Sequence, residues 1–280
     1  MLYVTGDLHG EFSKLEKLRL NEDDTLIVCG DFGFIWDNSK EEIKVLIKQF
    51  GDAAYRVKIA GGDGVEIHAA HAHGLLGGFL SPLYNKRCDE YGGDIDGRLK
   101  LTLEVLAEVR RVCGDDFIID VRISGDEYSD GGLNINDMTY VAKQLEKAGA
   151  NMLHVSGGTT IKRGSAIPAA GTRQGSHVEL SEAIKKHVSI PVATVGRIIE
   201  PWVADEIIAN GKADACMMGR ANLCEPEFVN KVYEGREIEI RPCIGCLRCL
   251  NGIMFGKRIA CSVNPSSIRS FTSSTVTADI

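Results

Sequence analysis

Three histidines, His68, His71 and His73, fall within six positions of a stretch from Asp63 to Gly93, DGVEIHAAHAHGLLGGFLSPLYNKRCDEYGG. Its first residues read as a short apolar strand ending on Glu66 and His68, followed by a Gly-rich, Pro-containing loop dense in His, Asn and Arg. Parallel α/β enzymes build their sites in this way, at the carboxyl ends of strands. Imidazoles placed there can exchange protons near neutrality. The bland alternative for each is a solvated or core histidine.

A second group is made of sulfur. Cys243, Cys246 and Cys249 form C-x2-C-x2-C, and Cys261 follows after eleven intervening residues. Three thiolates in seven residues with a distal fourth suit an iron–sulfur cubane, in which each Cys binds a different iron. Zinc is the alternative, although four-cysteine zinc sites normally come as two separated pairs. The other five cysteines are scattered, so a reducing compartment with one metal cluster explains the set better than disulfides.

A third signal is a repeated Gly-Arg. Gly196-Arg197 and Gly219-Arg220 each close a short apolar run. Backbone N–H groups without a blocking side chain, plus a guanidinium, can hold a phosphate, and two such pairs at the last two strand ends match the phosphate position of (β/α)8 barrels.

The elements that must position these groups alternate. Leu2 to Val4 and Leu26 to Cys29 read as strands with a helix near Glu11 to Leu18 between them. Ser39 to Ala60 has helical spacing, with Ser39 and Glu42 as a capping box. Strands are then expected at 65–68, 117–124, 152–155, 191–195 and 213–218, with helices near 98–112, 135–148, 180–186 and 202–210. Such alternation means a parallel sheet or barrel. Within Phe117 to Ser124, the apolar Phe117, Ile119, Val121 and Ile123 face one way, while Asp120, Arg122 and Ser124 face the other. Charges on an inward face suit a ligand-filled barrel mouth; the alternative is an internal Asp-Arg ion pair.

Composition excludes several classes. A net charge of −7 and a pI near 5.6 argue against nucleic acid or an anionic membrane as partner. No apolar run reaches the length of a spanning helix, and MLYVTGDLHG lacks the features of a signal peptide. A cytoplasmic protein is expected, with a homo-oligomer compatible with everything above.

Two resemblances follow. Asp7, His9 and Gly30-Asp31-Phe32-Gly33 resemble the D-x-H and G-D-x-G opening of calcineurin-like metallophosphoesterases, over about residues 1–38 only; the later Asn-His motif of that family is absent. Three ligands cannot hold its two metals, and Asp7 and Asp31 read better as strand terminators. From Ser39 to about Pro265 the chain resembles the old yellow enzyme group of FMN oxidoreductases, in its iron–sulfur branch of 2,4-dienoyl-CoA and 2-enoate reductases. The resemblance rests on FGDAAYRVKIAGGDGVEIH, FLSPLYNKRCDEYGG, DVRIS, VGRI, MGRANL and RPCIGCLRC with a later CSVNP.

That resemblance implies a (β/α)8 TIM-barrel-type α/β fold over 39–240, a 4Fe-4S segment over 241–265 and a Ser/Thr-rich disordered tail over 266–280. It implies that Arg122 meets the pyrimidine side of FMN and that Gly196, Arg197, Gly219 and Arg220 hold its phosphate. His68 and His71 would hold the carbonyl of a small unsaturated substrate. The family's Gly-Tyr proton donor is replaced by Ala72-His73-Gly74, in which His73 is a candidate donor and equally a loop residue. Full-length relatives carry FAD- and NAD(P)H-binding domains after the cluster, and three barrel strands before the point matching Ser39; neither is found here. The chain therefore reads as a join of two unrelated genes near 37–44. An incomplete or rearranged barrel with weakened FMN affinity is expected, its exposed edge partly covered by the first two strands.

Overall fold

The computed structural model describes residues 2–5, 25–28, 40–162, 164–254, 256 and 258–268. Asp7, His9, Asp31, the Ser39 cap, the helix near Glu11 and residues 269–280 lie outside them. Strands β1 (Leu2–Thr5) and β2 (Thr25–Val28) pair in parallel, with Leu2 opposite Thr25 and Thr5 opposite Val28. They form a sheet of their own. Among the described residues no ladder joins them to the main sheet.

The main sheet is parallel and sequential, in the order β3 (Gly64–His68), β4 (Ile118–Ser124), β5 (Met152–Ser156), β6 (Val192–Thr194) and β7 (Ala215–Cys216). A doubly wound fold reverses strand order at a switch point; a monotonic order with a helix after each strand is the wall of a barrel. Among the described residues that wall is open. The five strands expected after Ser39 are all present, and β7 is shorter than expected. Around it Asp214 N and Met217 N still donate to Val192 O and Thr194 O, at 2.7 and 2.8 Å.

The helices form where periodicity and caps agree. Helix α1 (Lys40–Ile59) has Glu41 and Glu42 in its first turn and Arg56 and Lys58 in its last, which complements the helix dipole. The short α2 (Gly74–Leu80) follows β3. Helix α3 (Ile95–Cys113) starts at Asp94, whose side chain accepts from Gly97 N at 2.9 Å. Asn134 and Asp137 complete a capping box on α4 (Ile135–Lys147). Helices α5 (Val178–Lys185) and α6 (Pro201–Ala209) alternate with the last strands. Their apolar faces and the outer face of the sheet make one core: Ile67, Ile119, Val121, Ile123, Leu153 and Val192 meet Ile43, Leu99, Leu106 and Leu145, all at most 4% exposed. Each such side chain contributes about 1.5–3 kcal/mol by burial.

Four short helices escape the sequence pattern: α2, α7 (Gly219–Cys224), α8 (Phe228–Tyr233) and α9 (Arg248–Met254). The Gly-rich loop after His73 is in fact helical. Its glycines serve close packing, since a Cβ on Gly77 would lie 2.6 Å from the Ala70 carbonyl oxygen. Residues 266–268, expected in the tail, instead belong to a 3-10 turn at Pro265–Ile268. There Ser267 Oγ accepts from Cys261 N at 2.9 Å. No described helix is long and apolar enough to cross a membrane.

Candidate active site

The strand register lines up the inner-face residues. His68 stands opposite Arg122, and Arg122 opposite His154; one layer below, Glu66 stands opposite Asp120. The Asp-Arg pair weighed from the sequence is not what forms. Asp120 lies against Glu66, and Glu66 accepts a 2.6 Å hydrogen bond at His154 Nδ1. Burial, then the Glu66 charge, push the Asp120 carboxyl up to about 7. For Glu66 burial is also the largest influence and would raise it, but the His154 bond and the His154 and Arg122 charges outweigh it and hold it below the usual range. Glu66, Asp120 and His154 bring one ligand atom each within 4.8 Å of one another, a set that could hold a cation. Arg122 keeps Nε buried and without a partner.

Above this row the chain leaves β3 in a strained path. His71 and Ala72 have φ of 66° and 48°, in the left-handed region that β-carbons disfavour. His71 is buried; its N–H donates to Ser124 Oγ at 2.8 Å, and its Nδ1 is 3.1 Å from the Gly158 carbonyl oxygen. Since a carbonyl only accepts, Nδ1 carries the hydrogen and Nε2 is left with a lone pair in the neutral ring. Burial holds that ring neutral, lowering it to about 4. The rings of His68 and His71 are 5.8 Å apart. Burial and then Arg122 lower His68 as well. His73 is exposed at the start of α2, near enough to act electrostatically on His68. The structure therefore gathers His68, His71, His73 and Arg122 at one place.

Both Gly-Arg pairs also meet. Arg197, Gly219 and Arg220 line one pocket with Val195, Met217 and Cys243. Arg197 and Arg220 each donate through one terminal nitrogen to the incoming loop, to Thr172 O at 2.6 Å and Pro168 O at 2.7 Å. Arg197 Nε is buried without a partner. At Gly196, φ is 136° and a Cβ would lie 2.7 Å from Ser176 Oγ, so only glycine fits. Gly219 opens α7 rather than lying in a loop, and open space surrounds it.

The four cysteines Cys243, Cys246, Cys249 and Cys261 line a second pocket, and Arg220 and Cys243 belong to both. Zn–S bonds of 2.3 Å would put sulfurs about 3.8 Å apart. No three of these sulfurs lie within 4.8 Å of one another. Ser262 Oγ lies 3.3 Å from Cys246 Sγ and holds that thiol below its ordinary pKa. A fifth thiol, the buried Cys224, lies against Cys261; burial, then Cys261, push it up to about 12.

Two further functional features were not visible in the sequence. His177 is 3% exposed with both ring nitrogens unpartnered, and no spacing or periodicity marks it. Strain is the other: every non-glycine residue with left-handed φ among the described residues, His71, Ala72, Tyr128, Arg197 and Leu247, sits at the strand-end cleft or in the cysteine loop. Along the inner face Arg122 Nε, His154 Nε2, Ser156 Oγ, Ser176 Oγ, Arg197 Nε and both His177 nitrogens are buried without partners. Each such group costs about 1–3 kcal/mol unless a polar ligand or water meets it. A polar, phosphorylated ring ligand such as FMN fits this donor set.

A parallel barrel wall with guanidiniums and imidazoles at its strand ends defines an α/β site for a phosphorylated cofactor. Residues 23–239 match the NADH:flavin oxidoreductase / NADH oxidase family, and the chain belongs to it. It is 43% identical over 226 residues to an NADH oxidase of Thermoanaerobacter brockii, covering 80% of this chain and 35% of that protein. It is 33% identical over 241 residues to a cinnamate reductase of Clostridium sporogenes, covering 81% of this chain and 36% of the other. A solved complex of 2-naphthoyl-CoA reductase superposes with a TM-score of 0.79 at 29% identity, covering 84% of this chain and 36% of that one. The chain thus spans about a third of the length of these relatives.

Proposed function

We propose that this chain is the flavin- and cluster-binding portion of an oxidoreductase that reduces the C=C bond of a small α,β-unsaturated substrate with electrons derived from NAD(P)H. The observation that carries the reading is the row of buried, unpartnered nitrogens and hydroxyls along the inner face, in a chain of this family. Bound FMN would supply hydride chemistry. Arg122 would hold the polar edge of the ring and stabilise negative charge there. Arg197, Arg220, Gly196 and Gly219 would hold the phosphate. His68 would donate to the substrate carbonyl. His71, tied through Nδ1 to Gly158, offers its Nε2 lone pair to a donor on the substrate or a bridging water. His73 is the proton donor in this reading, being the exposed imidazole beside the pair.

Cys243, Cys246, Cys249 and Cys261 would hold a 4Fe-4S cluster that passes electrons from FAD- and NAD(P)H-binding domains such as relatives of this branch carry. Three thiolates within seven residues and a distal fourth favour the cubane over the two separated pairs usual for zinc. Thiolate ligation suits a reducing cytoplasm. The test is anaerobic reconstitution of the full chain with iron and sulfide, followed by titration with FMN. Iron and labile sulfide in equal amounts, with quenched FMN fluorescence, are expected. Failure to bind added FMN overturns the flavin reading, and zinc retained in preference to iron overturns the cluster.

A further inference from the structure

His177 sits where a helix cap belongs and does not cap. It precedes α5, yet its side chain makes no capping bond; only its carbonyl serves the helix, accepting from Leu180 N at 3.0 Å. The ring instead turns inward over the end of β5. Its Nδ1 is 2.8 Å from the place a Cβ on Gly157 would occupy, so a side chain there would displace it. Its backbone N is 2.9 Å from the corresponding place on Gly196, so the residue bridges the ends of β5 and β6. Tyr128, itself strained at φ 51°, stacks on the ring with centroids 6.2 Å apart and planes 28° apart. The ring is thus held in place while both its nitrogens go unused.

A neutral imidazole presents one donor and one acceptor, and its complement is a group with both. Burial, then Arg122 and Arg173, keep this one neutral, at about 4, and the same two cations disfavour a positively charged partner. The neighbouring Ser176 Oγ is also buried and unpartnered. We propose that His177 holds the flavin by its ribityl chain, a polyol whose hydroxyls both donate and accept. The proposal rests on the flavin reading above, in which Arg122 takes the ring and Gly196-Arg197 the phosphate, since His177 feels the Arg122 charge and its backbone lies beside Gly196.

The test measures dissociation constants of FMN, riboflavin and lumiflavin, which lacks the ribityl chain, by fluorescence quenching on the reconstituted full chain. His177→Leu is expected to weaken FMN and riboflavin tenfold or more and to leave lumiflavin within twofold. His177→Gln, whose amide offers a donor and an acceptor, is expected to recover most of the loss and guards against misfolding of the leucine variant. Unchanged FMN affinity in both variants overturns the proposal. So does an equal loss for lumiflavin, which would put the contact on the ring. If the parent chain binds none of the three, the flavin reading fails and this proposal with it.

Discussion

The two faces of the main sheet are built on opposite rules. On the outer face Ile119, Val121, Ile123, Leu153 and Val155 are fully buried against helices, and none carries a polar side-chain atom. On the inner face, one residue along the same strands, Asp120, Arg122, His154 and Ser156 each carry a buried polar atom with no partner. The outer face holds the fold together by itself; the inner face is a demand for a ligand, and the helices have already supplied the stability that lets it persist.

Substitutions that separate the faces test this contrast. The largest effect is expected on the outer face: Leu153→Ala should cost about 2–5 kcal/mol in urea unfolding, with FMN affinity per folded molecule unchanged. Arg122→Met should do the reverse. Its urea midpoint should change little, because Arg122 is half-buried and its Nε makes no hydrogen bond for the change to break. FMN affinity should fall tenfold or more, about 1.4 kcal/mol. A large loss of stability in Arg122→Met would erase the distinction.

Acid and base should also act on the inner face with opposite signs. His71 and His177 fall to about 4 in the folded chain against about 6.5 unfolded. Between those values the unfolded state binds more protons, so their stability is full above about pH 6.5 and is lost as pH falls toward 4. Asp120 rises to about 7 from 3.8, so its contribution is full below pH 4 and is lost as pH rises through 7. Asp120→Asn should therefore melt higher than the parent at pH 8 and match it near pH 3, and His177→Gln should flatten the acid limb. The smallest effect belongs to neither face: Lys48→Ala breaks an exposed 2.6 Å pair with Asp52 on α1 and should cost at most about 0.5 kcal/mol.

The helices α1, α3 and α4 and the strands between them were legible because their cores repeat at fixed periods. The inner-face chemistry was only half legible. Arg122 could be placed on the inner face from the period of β4 alone, but its neighbours depend on register. The Glu66–His154 contact joins residues 88 apart, which no local pattern reveals. The long motif FLSPLYNKRCDEYGG made the family recognisable, yet most of it is scaffold. Asn85 Nδ2 donates to Phe79 O and Tyr91 O at 2.6 and 2.7 Å, and Ser81 Oγ donates to the buried Glu127 at 3.0 Å. Those bonds fix the segment that follows the histidines. His177 was hidden for a different reason: it ends a long Gly- and Ser-rich loop whose path tertiary contacts determine.

Arg220 and Cys243 form a party wall between the Gly-Arg pocket and the cysteine pocket. A group bound as proposed on one side would contact a residue that also lines the other. Such coupling is reciprocal in free energy, so iron loading should change affinity for a phosphate-bearing ligand by the same factor as that ligand changes affinity for iron. With both groups bound as proposed, the two pockets would respond as one thermodynamic unit, the affinity of each depending on the state of the other.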